Sequence, residues 1–237
     1  MAAQRDKSRS PDYFREFIER KQKSIAKFKT LASETTQSSH RKRLLYSIFR
    51  DQLELWIARY SAGEKVLFLK DYFYEVIDSL DIYLKQEGSE PMDFRVLADY
   101  IQSLWIISIA LLLDASDDLV AKIIKLINQS EIDAIFDRLI QLRFPDRYIS
   151  SELSHSKPYL NLYKAIPMQG ESQSQLIHSF IKSYYKDISE VYWMDVPPEY
   201  EVYFGNWLFE LAALVKGLEI DDQLFINNAN YPSDLVH

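Results

Sequence analysis

The sequence predicts an all-α protein, a multi-helix bundle of about nine helices, and three observations predict it. Apolar residues recur at three- and four-residue spacing through most of the chain. No run of four or more residues alternates apolar and polar between turn signals, so no strand is expected. Only 5 glycines occur in 237 residues, too few for a turn-dense β fold or for Gly-rich phosphate loops.

The elements follow in order. Ser10-Pro11 combines an N-cap residue with a first-turn proline. Behind it Phe14, Phe17, Ile18, Ile25 and Leu31 form one helical face, predicted to end near Ser33. The polar stretch from Glu34 to His40 is a linker. A second helix is predicted from Arg41 to Tyr60, broken by Ser61-Ala62-Gly63, and a third from Lys65 to Lys85, closed by Gly88 and Pro91. The fourth, Asp93 to Leu113, is apolar on most sides after Leu104, which marks a central helix. Its apolar stretch, Leu104–Leu113, is far short of the roughly 20 residues a membrane span needs. Shorter helices are predicted at 117–127, 131–142, 157–166 and 172–186, and a last one from Pro198 to Leu218. Asn227, Asn228, Asn230 and Pro232 give the tail turn chemistry. The expected organisation is two helical modules, 1–128 and 129–237, packed into one body.

Composition narrows the function classes. With no cysteine, disulfides, thiolate zinc sites and Cys nucleophiles are all excluded. The polar, basic N-terminus lacks the apolar core of a secretory signal, so a soluble, cytoplasmic protein without a membrane role is expected. The net charge of −7 conceals an asymmetry. Residues 1–50 hold 13 Lys+Arg and 5 Asp+Glu, net +8; residues 51–237 hold 15 and 30, net −15. An acidic body disfavours nucleic acid as its direct ligand and suits a basic protein partner. The basic leader reads as a solvated helix face that packs on the acidic remainder, because its aromatics sit at core spacing.

Asp114-Ala-Ser-Asp117-Asp118 has the look of the magnesium-binding aspartates of all-α isoprenoid synthases. That chemistry needs a second metal motif on a facing helix, and none is found. The plainer reading is a helix junction in which Ser116 or Asp117 caps the next helix. Glu152-Leu-Ser-His155 has the spacing of di-iron bundles, but no second internal copy accompanies it. No Gly-x-Ser-x-Gly elbow is present. The residues therefore point to no catalytic site, no metal and no cofactor, and to a binding protein rather than an enzyme. A non-inhibitory helical adaptor and a magnesium enzyme on Asp114, Asp117 and Asp118 stand as the alternatives.

The C-terminal third is more specific. The run Tyr203-Phe-Gly-Asn-Trp-Leu-Phe-Glu-Leu-Ala-Ala-Leu is followed by Ile220-Asp221-Asp222 and then by Tyr231-Pro232-Ser233-Asp234-Leu235-Val236. Upstream, Tyr60-Ser-Ala-Gly-Glu64 and a helix with Leu104-Trp105 and Ser108-x-Ala110 occur in the same order. Together these elements resemble the PoNi family of immunity proteins for polymorphic nuclease toxins, from about residue 10 to 236. A basic segment that the family has after the tryptophan at 193 is missing here, and Asn206, Leu208 and Leu211 depart from the common residues.

The resemblance implies a two-module, all-α, non-enzymatic protein whose partner is a cognate DNase toxin. It implies scaffold roles for Trp105, Gly205, Trp207, Glu210, Tyr231, Pro232 and Asp234. Gly205 is expected on the last helix, permitting close approach. Glu210, on an apolar helix, needs a buried partner such as an Arg or Tyr, and Asp234 suits a backbone turn. From charge and loop position, the candidate toxin contacts are Asp114, Asp117, Asp118, Asp195, Glu199, Glu201, Asp221 and Asp222.

Overall fold

The structure is a computed structural model that describes residues 3–194 and 202–237. Among them nine α-helices and one 3-10 turn occur, with no strand. The chain forms two compact units: Met1–Pro91 with Glu201–Asn206, and Met92–Tyr200 with Trp207–His237.

The first unit holds three helices: α1 (Pro11–Glu34), α2 (Ser38–Ser61) and α3 (Val66–Leu84). Ser10 caps α1, its hydroxyl accepting from the Tyr13 amide at 3.1 Å. α2 packs on both α1 and α3. Every residue of α2 from Asp51 to Ser61 is buried, charged ones included. Burial on all sides requires partners for the charges: Arg59 pairs with Glu64 and lies over the Tyr72 ring, and Lys21 of α1 serves the two acids. Its ammonium donates to Asp51 at 2.6 Å and pairs with Glu54. Part of the basic leader thus packs on acids of its own unit. Arg5 does the same with backbone, donating to the carbonyls of Tyr60 and Glu64 at 3.0 and 2.8 Å and lying 4.4 Å over the Tyr60 ring. On the α3 side the indole of Trp56 donates to the Leu69 carbonyl at 2.8 Å.

The segment 202–206 belongs to this unit. Ser61 donates its hydroxyl to the Phe204 carbonyl at 2.9 Å, and Tyr13 donates to the Tyr203 carbonyl at 2.8 Å. The Tyr203 hydroxyl in turn donates to Asp6.

The second unit is built on α4 (Leu97–Leu112), buried from Tyr100 to Ala110 as its all-round apolar character requires. Around it lie α5 (Asp117–Ile127), α6 (Ala134–Gln141), α7 (Ser156–Ala165), α8 (Gly170–Asp187), α9 (Phe209–Leu218) and the 3-10 turn Ser233–Leu235. α4 packs on α5, α6 and α9, while α7 packs on α8. None of the described helices is long and apolar enough to cross a membrane.

One expectation is corrected. The last helix starts at Phe209, not at Pro198; residues 195–201 lie outside the described residues, and 202–208 are irregular. Gly205 is therefore not helical. It sits at φ +125°, a conformation that favours glycine. The backbone before Phe209 has other partners: Phe204 accepts from Ser61, and Leu208 donates to the Asn230 carbonyl at 2.9 Å.

The turn between α2 and α3 gives a direct test. Gly63 has φ +91°, and a Cβ there would stand 2.5 Å from the Ala3 carbonyl oxygen. Gly63→Ala is expected to destabilise the protein by about 1–2 kcal/mol from the left-handed backbone alone, before the clash is counted. Thermal unfolding followed by circular dichroism checks this, and an unchanged midpoint would contradict it.

Candidate partner-binding surface

The aspartates after α4 stand at one end of the second unit, where three helix ends meet. Asp114 turns the chain at φ +52° just past α4. Its carboxylate accepts from Lys216, in the last turn of α9, at 3.1 and 3.2 Å. The same ammonium donates to the Leu112 carbonyl at 3.1 Å, satisfying a C-terminal backbone group of α4. Next to Lys216, Gly217 lies so close to Leu142 that a Cβ would stand 2.5 Å from a Leu142 methyl. Leu142 follows α6. Its neighbour Arg143 pairs with Asp117 at the start of α5 and donates to the Ala115 carbonyl at 3.2 Å. α4, α6 and α9 therefore end together beside the N-terminus of α5.

The carboxylates here are exposed. Asp114 and Asp117 keep 69% and 68% of their side-chain surface in solvent, and Asp118 is exposed. Ser116 caps α5, accepting from the Leu119 amide at 3.3 Å. The chain leaving α9 adds exposed Glu219 and Asp221. Lys216 and Arg143 hold Asp114 and Asp117 in place, and such surface pairs add little stability. Among the described residues no group of three or more His, Asp or Glu is arranged to hold a metal ion.

The remaining candidates fall elsewhere. Asp195, Glu199 and Glu201 lie outside the described residues. Asp222 is a correction to the surface reading, because it is 5% exposed. It accepts from the Tyr231 hydroxyl at 2.8 Å and lies 3.0 Å from His237 Nε2, so it anchors the tail. Burial and that contact push the Tyr231 phenol well up.

Most of the motif residues are buried, with Asp234 the exception. Trp105 and Trp193 pack at a tilt of 47° with ring centres 5.1 Å apart, and Trp207 and Pro232 are buried. Asp234 lies exposed in the 3-10 turn. Glu210 is wholly buried in α9, where its Oε1 accepts from the Tyr159 hydroxyl of α7 at 3.1 Å. Tyr159 is 2.9 Å from the Tyr184 hydroxyl of α8, so one carboxyl ties three helices. The expected tyrosine partner is thus present. Tyr184 was not legible as part of its surroundings, since nothing local sets it apart. His155 of the Glu-x-x-His pattern is a packed residue: its Nε2 is 2.8 Å from the Phe94 carbonyl, and its ring lies against Tyr100.

Two family models decide the relationship. The PoNe immunity protein (PoNi) N-terminal model matches residues 5–125, and the C-terminal model matches residues 131–235. The chain belongs to the PoNi family. This family makes it an immunity protein against a nuclease toxin. The crystal structure of protein PA2201 from Pseudomonas aeruginosa is similar over 99% of this chain and 90% of that one, with a TM-score of 0.75 and 17% identity. At that identity the likeness shows the fold. Among curated proteins no match is found.

In this PoNi chain, burial raises the Glu210 carboxyl to about 7. Between pH 4.5 and about 7 the folded state holds this proton while the unfolded chain has lost it. Stability therefore falls as pH rises through that window, by about 3 kcal/mol for a shift of this size. Glu210→Gln is expected to remove this part of the pH dependence. Melting temperatures of both proteins across the window check it; parallel curves would contradict it.

Proposed function

We propose that this protein neutralises a DNA-cleaving toxin by laying the acidic end of its second unit over the toxin's basic DNA-binding cleft. The observation that carries the proposal is the convergence of Asp114, Asp117 and Asp118 with the chain leaving α9. The unit around them holds 11 Lys+Arg against 20 Asp+Glu, net −9, whereas the first unit is net +2. DNA-binding proteins hold phosphates with Lys and Arg. A rigid set of carboxylates offers those cations the same charge without a scissile bond. Complementary charge also speeds encounter, which suits an inhibitor that must reach its target before the chromosome does.

Asp118 and Asp221 have no internal cation among the described residues and are the foremost contacts. Asp114 and Asp117 are held at their stations by Lys216 and Arg143. The protein acts as an inhibitor without catalysis of its own, in the cytoplasm where the toxin meets DNA.

Co-expression with the toxin encoded beside it tests this. Cells carrying both are expected to survive; survival no better than with an empty vector would refute the proposal. Charge reversal at Asp117→Lys with Asp118→Lys is expected to weaken the purified complex by about tenfold or more. Calorimetric titration reads that loss, and unchanged affinity would remove this edge from the interface.

A further inference from the structure

Among the described residues of the second unit, the two most exposed large apolar side chains are Leu224 and Tyr148, at 81% and 63%. Both stand on loops that leave the acidic edge. Leu224 follows α9 and Tyr148 follows α6, and those helices end together where Gly217 meets Leu142. Each loop also carries an exposed carboxylate, Asp221 three residues before Leu224 and Asp146 two before Tyr148.

Neither loop is slack. Leu224 sits at the corner of a turn closed by the Phe225 amide, which donates to the Asp222 carbonyl at 2.9 Å. Both ends of that turn are buried: Asp222 holds Tyr231, and the Phe225 ring meets Tyr231 edge-on at 5.2 Å. Asp221 braces the entry, accepting from the Gln223 amide at 3.1 Å. In the other loop the Arg147 amide donates to the Phe144 carbonyl at 3.2 Å, with Pro145 pre-setting the turn. Gln141, itself held by Arg138 at 2.6 Å, donates to the carbonyls of Pro145 and Arg147 at 3.2 and 3.4 Å. The Ser150 amide then ties the loop to buried Asp137 at 3.0 Å. Such a turn brings its end Cα atoms within about 7 Å. Tyr148 therefore lies within about 15 Å of Arg143, which holds Asp117, and an interface of about 800 Å² per partner spans both.

We propose that Leu224 and Tyr148 are the apolar anchors of the toxin interface, seating in apolar surface that borders the toxin's basic cleft. This rests on the toxin-binding reading above and names what the acidic edge lacks. Exposed ion pairs add little each and are weakened by salt, so carboxylates alone give fast encounter without long residence. Residence comes from desolvated apolar and aromatic side chains held in place before binding, and tyrosine is prominent among these. A leucine fixed in solvent between two buried anchors keeps its whole apolar surface for a partner.

The test is calorimetric titration of the full chain, at low and at high salt, with the neighbouring toxin purified in a nuclease-inactive form. Three proteins are compared: the wild type, Tyr148→Ser with Leu224→Ser, and the Asp117→Lys with Asp118→Lys edge variant. The anchor variant is expected to raise Kd by about tenfold or more at both salt concentrations, with melting temperature unchanged. The edge variant is expected to lose affinity chiefly at low salt. Should the anchor variant melt earlier, Leu224→Gln, which alters one exposed side chain, carries the test with the same outcomes. Wild-type affinity in a folded anchor variant, with loss in the edge variant, overturns the anchors and leaves the acidic edge standing. An anchor loss that vanishes at high salt overturns them as well, because apolar contact is not screened. No binding by the wild type overturns the toxin-binding reading itself.

Discussion

Asp133 is the contact on which the second unit is organised. This wholly buried carboxylate accepts four hydrogen bonds. Its Oδ1 takes the Tyr100 hydroxyl of α4 at 2.9 Å and the amides of Ile135 and Phe136 at 3.0 Å, capping α6. Its Oδ2 takes the Ser154 amide at 2.8 Å, fixing the approach to α7. A buried charge is tolerable only when hydrogen bonds surround it, and here they come from three separate stretches of chain. Asp137, one turn later, accepts from Glu131 and Ser150 and extends the same arrangement. Tyr100 then passes the order on, its ring standing 5.2 Å from Tyr159, which reaches Glu210.

The acidic edge depends on this core. Asp114 is placed by the end of α4, Arg143 by the end of α6, and Lys216 by the end of α9. Asp133 sets α6 against α4, and Glu210 ties α9 to α7 and α8. The two buried carboxylates thus place the three helix ends from which the exposed ones project. A surface patch of this kind is pre-organised, so little ordering cost falls on binding. The motif residues Trp105, Trp207, Glu210 and Tyr231 are interior, whereas Asp114, Asp117 and Asp118 stand on the surface.

Most helices were legible because burial on one face imposes a 3.6-residue period. Ser10-Pro11 and Ser116-Asp117 marked true helix starts for the same local reason, a side-chain oxygen facing free amides. The last helix was misplaced because Tyr203 and Trp207 have helical spacing, whereas Tyr203 is half-buried and held by Tyr13 and Asp6, far away in the sequence. Only Gly205 hinted at that break. Asp114, Asp117 and Asp118 were legible as a cluster because they are neighbours in the chain. Their cations, Lys216 and Arg143, lie 102 and 26 residues away in the chain and left no local signal. Asp221 and Asp222 look alike in the sequence. The return of Tyr231 and His237 buries one and leaves the other in solvent.

Hydrogen–deuterium exchange of the full chain, alone and in complex with its inactivated toxin, tests the central claim most directly. Complex formation is expected to slow exchange in the stretches around residues 112–119 and 216–222, where the helix ends meet. Exchange there that is the same in the free and bound protein, with protection confined to other parts of the second unit, would contradict it.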